Sequence, residues 1–308
     1  MLAYRGPVID AHHHLWHATP GAYPWLDGRA ELWRDFTARD YASTFAGQDI
    51  TATVLIEALA ADPEAELTAA TVERLASGGR IATALVGHAP LDAPDITARL
   101  DRLAARSPAL RGIRDIVSAG AGRPSPARNP DLLERPGFRR GLAALAARGL
   151  VFDLMLRPHQ MQDAARLLET LPELSVAIEH AADPWDQSPE GLRAWAVGLG
   201  ALAEMPGCVL KVSALQCHDP GWTTDSLRRL LDVMLDSFGP ARLAWGSDWP
   251  VHDLACPGPV ALDAMREVTA DWPAEAQAAF FAGTAARLYG IAVDPGSRHP
   301  KVIRKADL

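Results

Sequence analysis

The feature that most constrains this 308-residue chain is a regular alternation of short apolar runs with longer helical stretches. Short apolar runs bounded by Gly, Pro or polar residues are typical of buried strands. They predict strands near residues 7–12, 52–57, 80–86, 110–116, 150–156, 174–180, 208–213 and 242–247. Strands that alternate with helices form a parallel sheet with right-handed crossovers, and eight strands are the number that closes a barrel.

The stretches between these strands are rich in Ala, Leu, Arg and Glu at helical spacing. They predict helices over residues 64–77, 95–106, 138–148, 160–171, 189–205, 224–238, 258–269 and 274–289. We therefore expect a single α/β domain over residues 1–308, with the architecture of a (β/α)₈ TIM barrel. A doubly wound open sheet is the alternative, but it needs fewer strands, and no G-x-G-x-x-G motif follows the first strand.

Three segments interrupt this alternation. Residues 15–40 are rich in Trp, Tyr and Pro, and residues 117–137 contain four prolines and three glycines. Both segments are long for a connection between a strand and a helix, so we expect irregular loops on the active face of the barrel. Residues 295–308 are polar and basic, and we expect a loosely ordered tail there.

Charge and composition narrow the class of protein. The net charge of −8 and the scattered Lys and Arg residues argue against nucleic-acid binding. No apolar stretch reaches the length of a membrane span, and the N-terminus lacks a signal-peptide pattern. Cys208, Cys217 and Cys256 are odd in number and widely spaced, which favours a reducing compartment. We expect a cytoplasmic protein with a small-molecule substrate. The sequence is compatible with both a monomer and a homo-oligomer.

The two ends of the predicted barrel carry groups that ionise or bind metals. The first strand ends in His12, His13 and His14, and Asp248 follows the last strand. Because the first and last strands of a closed barrel are neighbours and strand side chains alternate, His12, His14 and Asp248 should meet while His13 faces away. An Asp in this position also commonly caps a turn, and that interpretation explains Asp248 without any chemistry.

Two more histidines, His159 and His180, follow the fifth and sixth predicted strands. Each alone is typical of a structural histidine, but polar groups at the carboxyl ends of barrel strands share one cavity. We expect His12, His14, His159 and Asp248 to bind one divalent metal, Zn²⁺ or Mn²⁺. The alternative is a metal-independent mechanism in which the histidines donate hydrogen bonds to the substrate.

Arginines and tryptophans near the strand ends are predicted to contact the substrate. Guanidinium groups bind carboxylates or hydroxyls, and indole rings form apolar walls. The residues concerned are Arg114, Arg157, Trp16, Trp25 and Trp249. Surface ion pairs and core packing are the alternative roles for the same residues.

Several segments together resemble the amidohydrolase family 2 branch of the amidohydrolase superfamily, over about residues 7–291. The resemblance is greatest to sugar lactonases of the L-fuconolactonase and L-rhamnonolactonase type. It rests on Ile9–Trp16, Tyr23–Trp25, Leu110–Arg114, Arg157–Gln160, Glu179–His180 and Gly246–Pro250. The resemblance implies a (β/α)₈ barrel and a hydrolase, with functional positions at His12, His14, His159, His180 and Asp248.

The sequence departs from this family pattern in two places. Such lactonases usually carry Asp-His-x-Gly-Lys-Pro after the sixth strand, whereas residues 179–184 read Glu-His-Ala-Ala-Asp-Pro. Asp183 thus replaces a cation, and we expect it to contact a neutral or cationic substrate. The fourth strand ends in Arg114-Asp115 and offers no Lys or Glu that would bridge two metals, so we expect at most one ion.

Together these features predict a hydrolase that opens a small lactone, such as the cyclic ester of a sugar acid. Asp248 would act as the general base for the attacking water, provided that burial raises its pKa. His180 would orient or polarise the carbonyl group. The alternatives are a metal-dependent decarboxylase of a small aromatic acid and a non-catalytic barrel that retains the site.

Overall fold

The computed structural model describes residues 4–292 and the backbone of residues 301–302. Parallel strands form a barrel in which each strand pairs with the next one along the chain, from β1 to β8. The strands are β1 Val8–His13, β2 Ile50–Ile56, β3 Ala84–His88, β4 Leu110–Arg114, β5 Val151–Leu154, β6 Val176–Ile178, β7 Cys208–Val212 and β8 Leu243–Trp245. An isolated parallel bridge between His13 and Trp249 joins β1 to the segment that follows β8. The (β/α)₈ barrel is therefore confirmed, and the open sheet is excluded.

Helices surround the barrel, and their amphipathic faces cover its apolar strands. They are α1 Ala38–Thr44, α2 Pro63–Ala76, α3 Ile96–Arg106, α4 Pro136–Arg148, α5 Met161–Glu169, α6 Pro189–Ala203, α7 Thr224–Phe238, α8 Gly258–Val268, α9 Ala274–Ala278 and α10 Thr284–Tyr289. A π-helical turn, Ala279–Gly283, joins α9 to α10, so the predicted helix over 274–289 is continuous. The other predicted helices are also present, with ends that differ by at most two residues.

Two elements differ from the sequence prediction. Helix α1 begins inside the segment expected to be irregular, because its seven residues are too few to show a period. A capping box starts it, in which the Thr37 hydroxyl accepts from the Asp40 amide. Strand β3 begins at Ala84 instead of residue 80, because Ala82 has a left-handed backbone (φ 55°) that is incompatible with a strand.

A buried carboxylate joins β1 to the segment after β8. Asp10 accepts hydrogen bonds from the Ser247 amide at 2.8 Å, from the Ser247 hydroxyl and from the Tyr41 hydroxyl at 2.7 Å. Asp10 is fully buried, and these donors, together with the His12 amide at 3.1 Å, compensate for the loss of its hydration. This seam holds the two ends of the barrel sheet in register.

The loops expected on the active face are mostly irregular. Residues 15–40 contain a single 3₁₀ turn, Pro24–Leu26, and the start of α1, while residues 117–137 contain the 3₁₀ turn Leu132–Glu134 and the start of α4. The predicted tail, 295–308, lies outside the described residues except for Lys301–Val302, which pairs antiparallel with Ile291–Ala292. Among the described residues, no helix combines the length and apolar character that crossing a membrane requires. All three cysteines are free.

Candidate active site

Three side chains converge at the mouth of the barrel, as strand alternation predicted. His12 Nε2 lies 3.2 Å from His14 Nε2. Asp248 Oδ1 lies 3.5 Å from the first of these nitrogens and 3.4 Å from the second. His13 points the other way, with Nε2 2.8 Å from the Thr53 hydroxyl. We refer to His12, His14 and Asp248 as the three-ligand group.

Backbone hydrogen bonds across the barrel seam place this group. The Asp248 amide donates to the His12 carbonyl, and the His14 amide donates to the Trp249 carbonyl, each at 2.7 Å. Asp248 has a left-handed backbone (φ 54°), which turns the chain sharply where β8 ends. Asp and Asn tolerate this conformation better than most residues do, so the backbone itself favours the residue type found here.

The atoms that converge are hydrogen-bond acceptors. His14 Nδ1 lies 3.0 Å from the Ile56 carbonyl, so in the neutral ring Nδ1 carries the hydrogen and Nε2 presents a lone pair. That lone pair faces the Asp248 carboxylate. Two acceptors at such a distance repel each other unless a cation lies between them or the imidazole is protonated.

The geometry of the three-ligand group fits a single divalent cation. A triangle with the measured sides has its centre about 2 Å from each corner, which matches Zn²⁺–nitrogen and Zn²⁺–oxygen bonds. All three residues are buried. Two imidazole nitrogens and one carboxylate oxygen are a donor set that suits Zn²⁺ or Mn²⁺.

The electrostatics of the group contradict one sequence-based expectation. Burial alone would raise the pKa of Asp248, but the neighbouring imidazoles of His180 and His14 hold that pKa below its ordinary value. Asp248 is therefore a carboxylate at neutral pH, and not the acid with a raised pKa that we expected. Burial also takes the pKa of His12 well below its usual value, so this ring is neutral.

A buried network of charged side chains contacts His12 on the side away from the three-ligand group. His12 Nδ1 lies 3.5 Å from Glu179 Oε1, and the other oxygen of Glu179 accepts from Arg114 Nη1 at 3.2 Å. Arg114 also donates from Nε to the Glu57 carboxylate and from Nη2 to the Glu57 carbonyl. A carboxylate beside the outer nitrogen of a ligating histidine favours the tautomer with its hydrogen on that nitrogen, although at 3.5 Å these two atoms form no hydrogen bond. Arg114, which we expected to bind substrate, thus binds Glu57 and Glu179, although it also lines the cavity.

His180 lies beside this group on the cavity wall. Its ring centroid is 4.6 Å from that of His12, and its Nδ1 lies 3.0 Å from the Ser213 hydroxyl. Residues 180–183 all have left-handed backbones, with φ between 51° and 58°. Ala182 occupies the position where the family pattern has glycine, the residue that adopts this conformation without cost. The strained turn places both His180 and Asp183 on the cavity wall.

A cavity of about 670 Å³ opens above the three-ligand group. Its volume is in the range that binds small molecules. The predicted substrate contacts that line it are Trp25, Arg114, Arg157 and Asp183. Arg157 also donates to the Ser118 hydroxyl at 3.1 Å and to the Gly120 carbonyl, so it holds the loop after β4 in place.

Two of the predicted tryptophans do not reach the cavity. Trp16 is buried, and its Nε1 donates to the carbonyls of Leu32 at 3.2 Å and Arg34 at 3.0 Å. Trp249 is buried and packs edge-on against Phe36. Both indoles stabilise the loop after β1, which corrects their assignment as substrate contacts.

His159 does not join the three-ligand group. The chain leaves β5 through a 3₁₀ turn, Pro158–Gln160, which turns Gln160 inward and His159 outward. His159 is exposed and lies beside Gly120, where an added Cβ would come within 3.2 Å of its Nε2. This corrects the prediction that His159 is the fourth metal ligand. A second group of residues whose possible metal-ligand atoms lie close together is His12, Glu179 and His180.

A family model described as amidohydrolase matches residues 9–291. The chain belongs to the amidohydrolase family. It is 30% identical over 299 residues to an L-fucono-1,5-lactonase of Burkholderia multivorans, covering 92% of this chain and 96% of that protein. An amidohydrolase of Burkholderia multivorans solved with bound zinc has a TM-score of 0.81 at 29% identity, covering 92% and 99% of the two chains.

A more distant structure shares only the fold. The 5-carboxyvanillate decarboxylase of Sphingomonas paucimobilis has a TM-score of 0.59 at 16% identity, covering 92% of this amidohydrolase and 98% of that chain. The family match, which spans the whole barrel, makes the protein a hydrolytic enzyme, as the sequence predicted.

Glu66 is a further buried carboxylate that the sequence did not reveal. It lines a small cavity of about 30 Å³ together with Glu57 and Tyr23. One oxygen accepts from the Ala58 amide at 2.6 Å, and the other has no hydrogen-bond partner among the described residues. Burial and the charge of Glu57 raise the pKa of Glu66 to about 8, although Arg114 opposes the shift.

This raised pKa predicts a loss of stability at alkaline pH. Because the folded pKa of Glu66 exceeds the unfolded one, its contribution is complete below about pH 4.5 and is lost as the pH rises through 8. Glu66→Gln should remove this dependence. From pH 5 to pH 8.5 the free energy of unfolding of the variant, relative to that of the wild type, should rise by at least about 1.4 kcal/mol. Urea unfolding at both pH values measures the difference. The control is Glu64→Gln, on the solvent side of the same helix, and a parallel pH dependence of wild type and Glu66→Gln would refute the assignment.

Proposed function

We propose that this amidohydrolase opens a small lactone by attack of water on the ring carbonyl. The observation that carries the proposal is the convergence of His12, His14 and Asp248 at a cavity of small-molecule size. The similarity to an L-fucono-1,5-lactonase over nearly the whole of both chains supports a cyclic ester of a sugar acid as the substrate.

Asp248 is the proposed general base although its pKa is lowered, because it is then a carboxylate that can accept a proton at neutral pH. Its Oδ1 belongs to the three-ligand group, which leaves Oδ2 to take a proton from the attacking water. The oxygen of that water forms a bond to the carbonyl carbon, and the bond from this carbon to the ring oxygen then breaks. Asp248 returns its proton to the ring oxygen, and the products are a carboxylic acid and an alcohol on one open chain.

His180 is the proposed partner of the carbonyl oxygen. Its Nδ1 faces the Ser213 hydroxyl, and when that hydroxyl donates, Nε2 carries the hydrogen. This N–H can then donate to the oxygen on which negative charge develops as water attacks. Ser213 is a positioning residue in this scheme, since it selects the tautomer of His180.

His12, His14 and Asp248 would hold a divalent ion, since their ligand atoms lie close together. A relative solved with bound zinc supports the presence of such an ion. When bound, such an ion polarises the carbonyl oxygen or lowers the pKa of a water to about 7. Glu179 and Arg114 keep the His12 ring oriented toward this position.

A panel of lactones tests the proposed reaction. Release of acid is followed in weak buffer, and the mass of the product is measured. We expect the gain of one water on a hexono-1,5-lactone. Loss of carbon dioxide from a small aromatic acid, with no lactone opened, would instead establish the decarboxylase alternative. Binding of a lactone without any turnover would establish a non-catalytic barrel.

The metal assignment predicts one ion per chain and loss of activity on chelation. Activity should return when one equivalent of Zn²⁺ or Mn²⁺ is added. His14→Asn should lower the metal content, whereas the control His159→Asn should leave it unchanged, because His159 lies outside the three-ligand group. Metal analysis of each preparation measures this. A fully active preparation with far less than one ion per chain would recast the histidines as hydrogen-bond donors.

A further inference from the structure

A cluster of three polar side chains on the cavity wall takes no part in the chemistry proposed above. Arg123 Nη1 donates to Asp183 Oδ2 at 2.8 Å, and His218 Nδ1 lies 3.5 Å from Asp183 Oδ1. The three residues come from the loops after β4, β6 and β7, and all of them line the large cavity. We call them the Arg123–Asp183–His218 cluster.

His218 points to a ligand at this cluster. Its side chain is only 10% exposed, and its Nε2 has no hydrogen-bond partner among the described residues. Burial lowers the pKa of His218 to about 4, so the ring is neutral. With the Nδ1 hydrogen directed at Asp183, Nε2 presents a lone pair on the cavity wall. A buried acceptor of this kind is costly unless a bound molecule or water donates to it.

Arg123 differs from Arg114 and Arg157, two other arginines that line the cavity. The donors of Arg114 are directed at Glu57 and Glu179, and those of Arg157 at the loop after β4. The hydrogen bond described for the Arg123 guanidinium uses Nη1 alone, and the group lies 5.1 Å from the Trp185 ring centroid. Arg123 is therefore held in place by Asp183, and its guanidinium has N–H donors that this hydrogen bond does not use.

The cluster pairs a cation with an anion, so Asp183 does not present an isolated negative charge. The sequence led us to expect a neutral or cationic substrate at Asp183, and its pairing with Arg123 favours the neutral one. Guanidinium donors next to carboxylate and imidazole acceptors match hydroxyl groups, each of which donates and accepts. A carboxylate on the substrate would be repelled by the negative charge of Asp183.

We propose that the Arg123–Asp183–His218 cluster binds neighbouring hydroxyl groups of an uncharged, polyhydroxylated lactone and thereby sets the substrate class. The inference rests on the proposed lactone hydrolysis and adds the residues that recognise the substrate. Asp183 and His218 accept from the hydroxyls, and Arg123 donates to them.

Two lactones with the same ring separate recognition from chemistry. Gluconolactone in its 1,5 form carries ring hydroxyls, and δ-valerolactone carries none. Asp183→Asn keeps the shape, and Asn tolerates the left-handed backbone at this position. We expect kcat/KM for the hydroxylated lactone to fall about 10- to 100-fold, and that for δ-valerolactone to change less than about twofold. Arg135→Gln, which removes an ion pair to Asp92 in the same loop outside the cavity, is the control.

Equal losses on both lactones, no loss on either, or no preference of the wild type for the hydroxylated ring would each overturn the proposal. If the wild type opens neither lactone, the proposed hydrolysis fails, and calorimetry with unreactive lactams decides the role of the cluster. The wild type should bind gluconolactam more tightly than δ-valerolactam, and Asp183→Asn should abolish that preference. A wild type that binds both lactams equally would refute the cluster as a hydroxyl-binding site.

Discussion

Asp248→Asn is expected to lower kcat by about 10²- to 10⁴-fold while the fold remains intact. Asparagine keeps the shape of the side chain and tolerates the left-handed backbone (φ 54°), but it cannot take a proton from water. Turnover of the lactone identified by the panel measures the loss, and circular dichroism checks the fold. The control is Asp253→Asn in the following turn, because that carboxylate accepts from the Gly258 amide. Retention of more than about a tenth of the activity would show that Asp248 is not the base.

The same variant also removes an anionic ligand, so the metal content must be measured with it. If activity returns when Asp248→Asn is saturated with metal, Asp248 acts as a ligand alone. If the loss persists at full metal occupancy, the carboxylate takes part in proton transfer. The two roles are thus separable in one preparation.

Arg114→Leu should lower the free energy of unfolding by about 3–5 kcal/mol. The substitution leaves Glu57 and Glu179, which are almost entirely buried, without their shared cation. Typical domains have a stability of only about 5–15 kcal/mol, so the effect would be a large fraction of the total. Urea unfolding at pH 7 measures it. Arg166→Leu, which breaks an exposed ion pair with Asp163, is the control and should cost less than about 1 kcal/mol.

Two further variants guard against failure of Arg114→Leu to fold. Arg114→Lys keeps the charge but loses the planar donors, and should have intermediate stability. In the Arg114→Leu background, Glu57→Gln should recover part of the loss, because it removes one of the unpaired charges. Absence of any recovery would show that the loss comes from packing and not from charge.

Strand periodicity was sufficient to predict the centre of the site. His12 and His14 share a face because strand side chains alternate, and Asp248 joins them because a barrel brings its first and last strands together. Both rules depend only on local patterns and on strand number. The (β/α)₈ architecture and the three-ligand group could therefore be predicted from sequence.

The supporting residues could not be predicted in this way. Glu57 and Glu179 matter because Arg114 reaches both from a third strand, and no spacing in the sequence encodes that meeting. His159 failed as a ligand because a 3₁₀ turn, rather than the strand, sets its direction. Trp249 failed as a substrate contact because its neighbour in space, Phe36, belongs to the loop after β1.

The seam between Asp10 and Ser247 links residues that are 237 positions apart in the chain. The histidines on one side of it and Asp248 on the other can meet only after nearly the whole polypeptide has assembled. Such non-local contacts form late and slowly during folding, so an incomplete barrel has no assembled three-ligand group. Any ion or substrate that binds there favours the closed chain by mass action, by about 4 kcal/mol at 1,000 times its dissociation constant. Catalytic activity in this enzyme therefore requires, and indicates, a completely folded barrel.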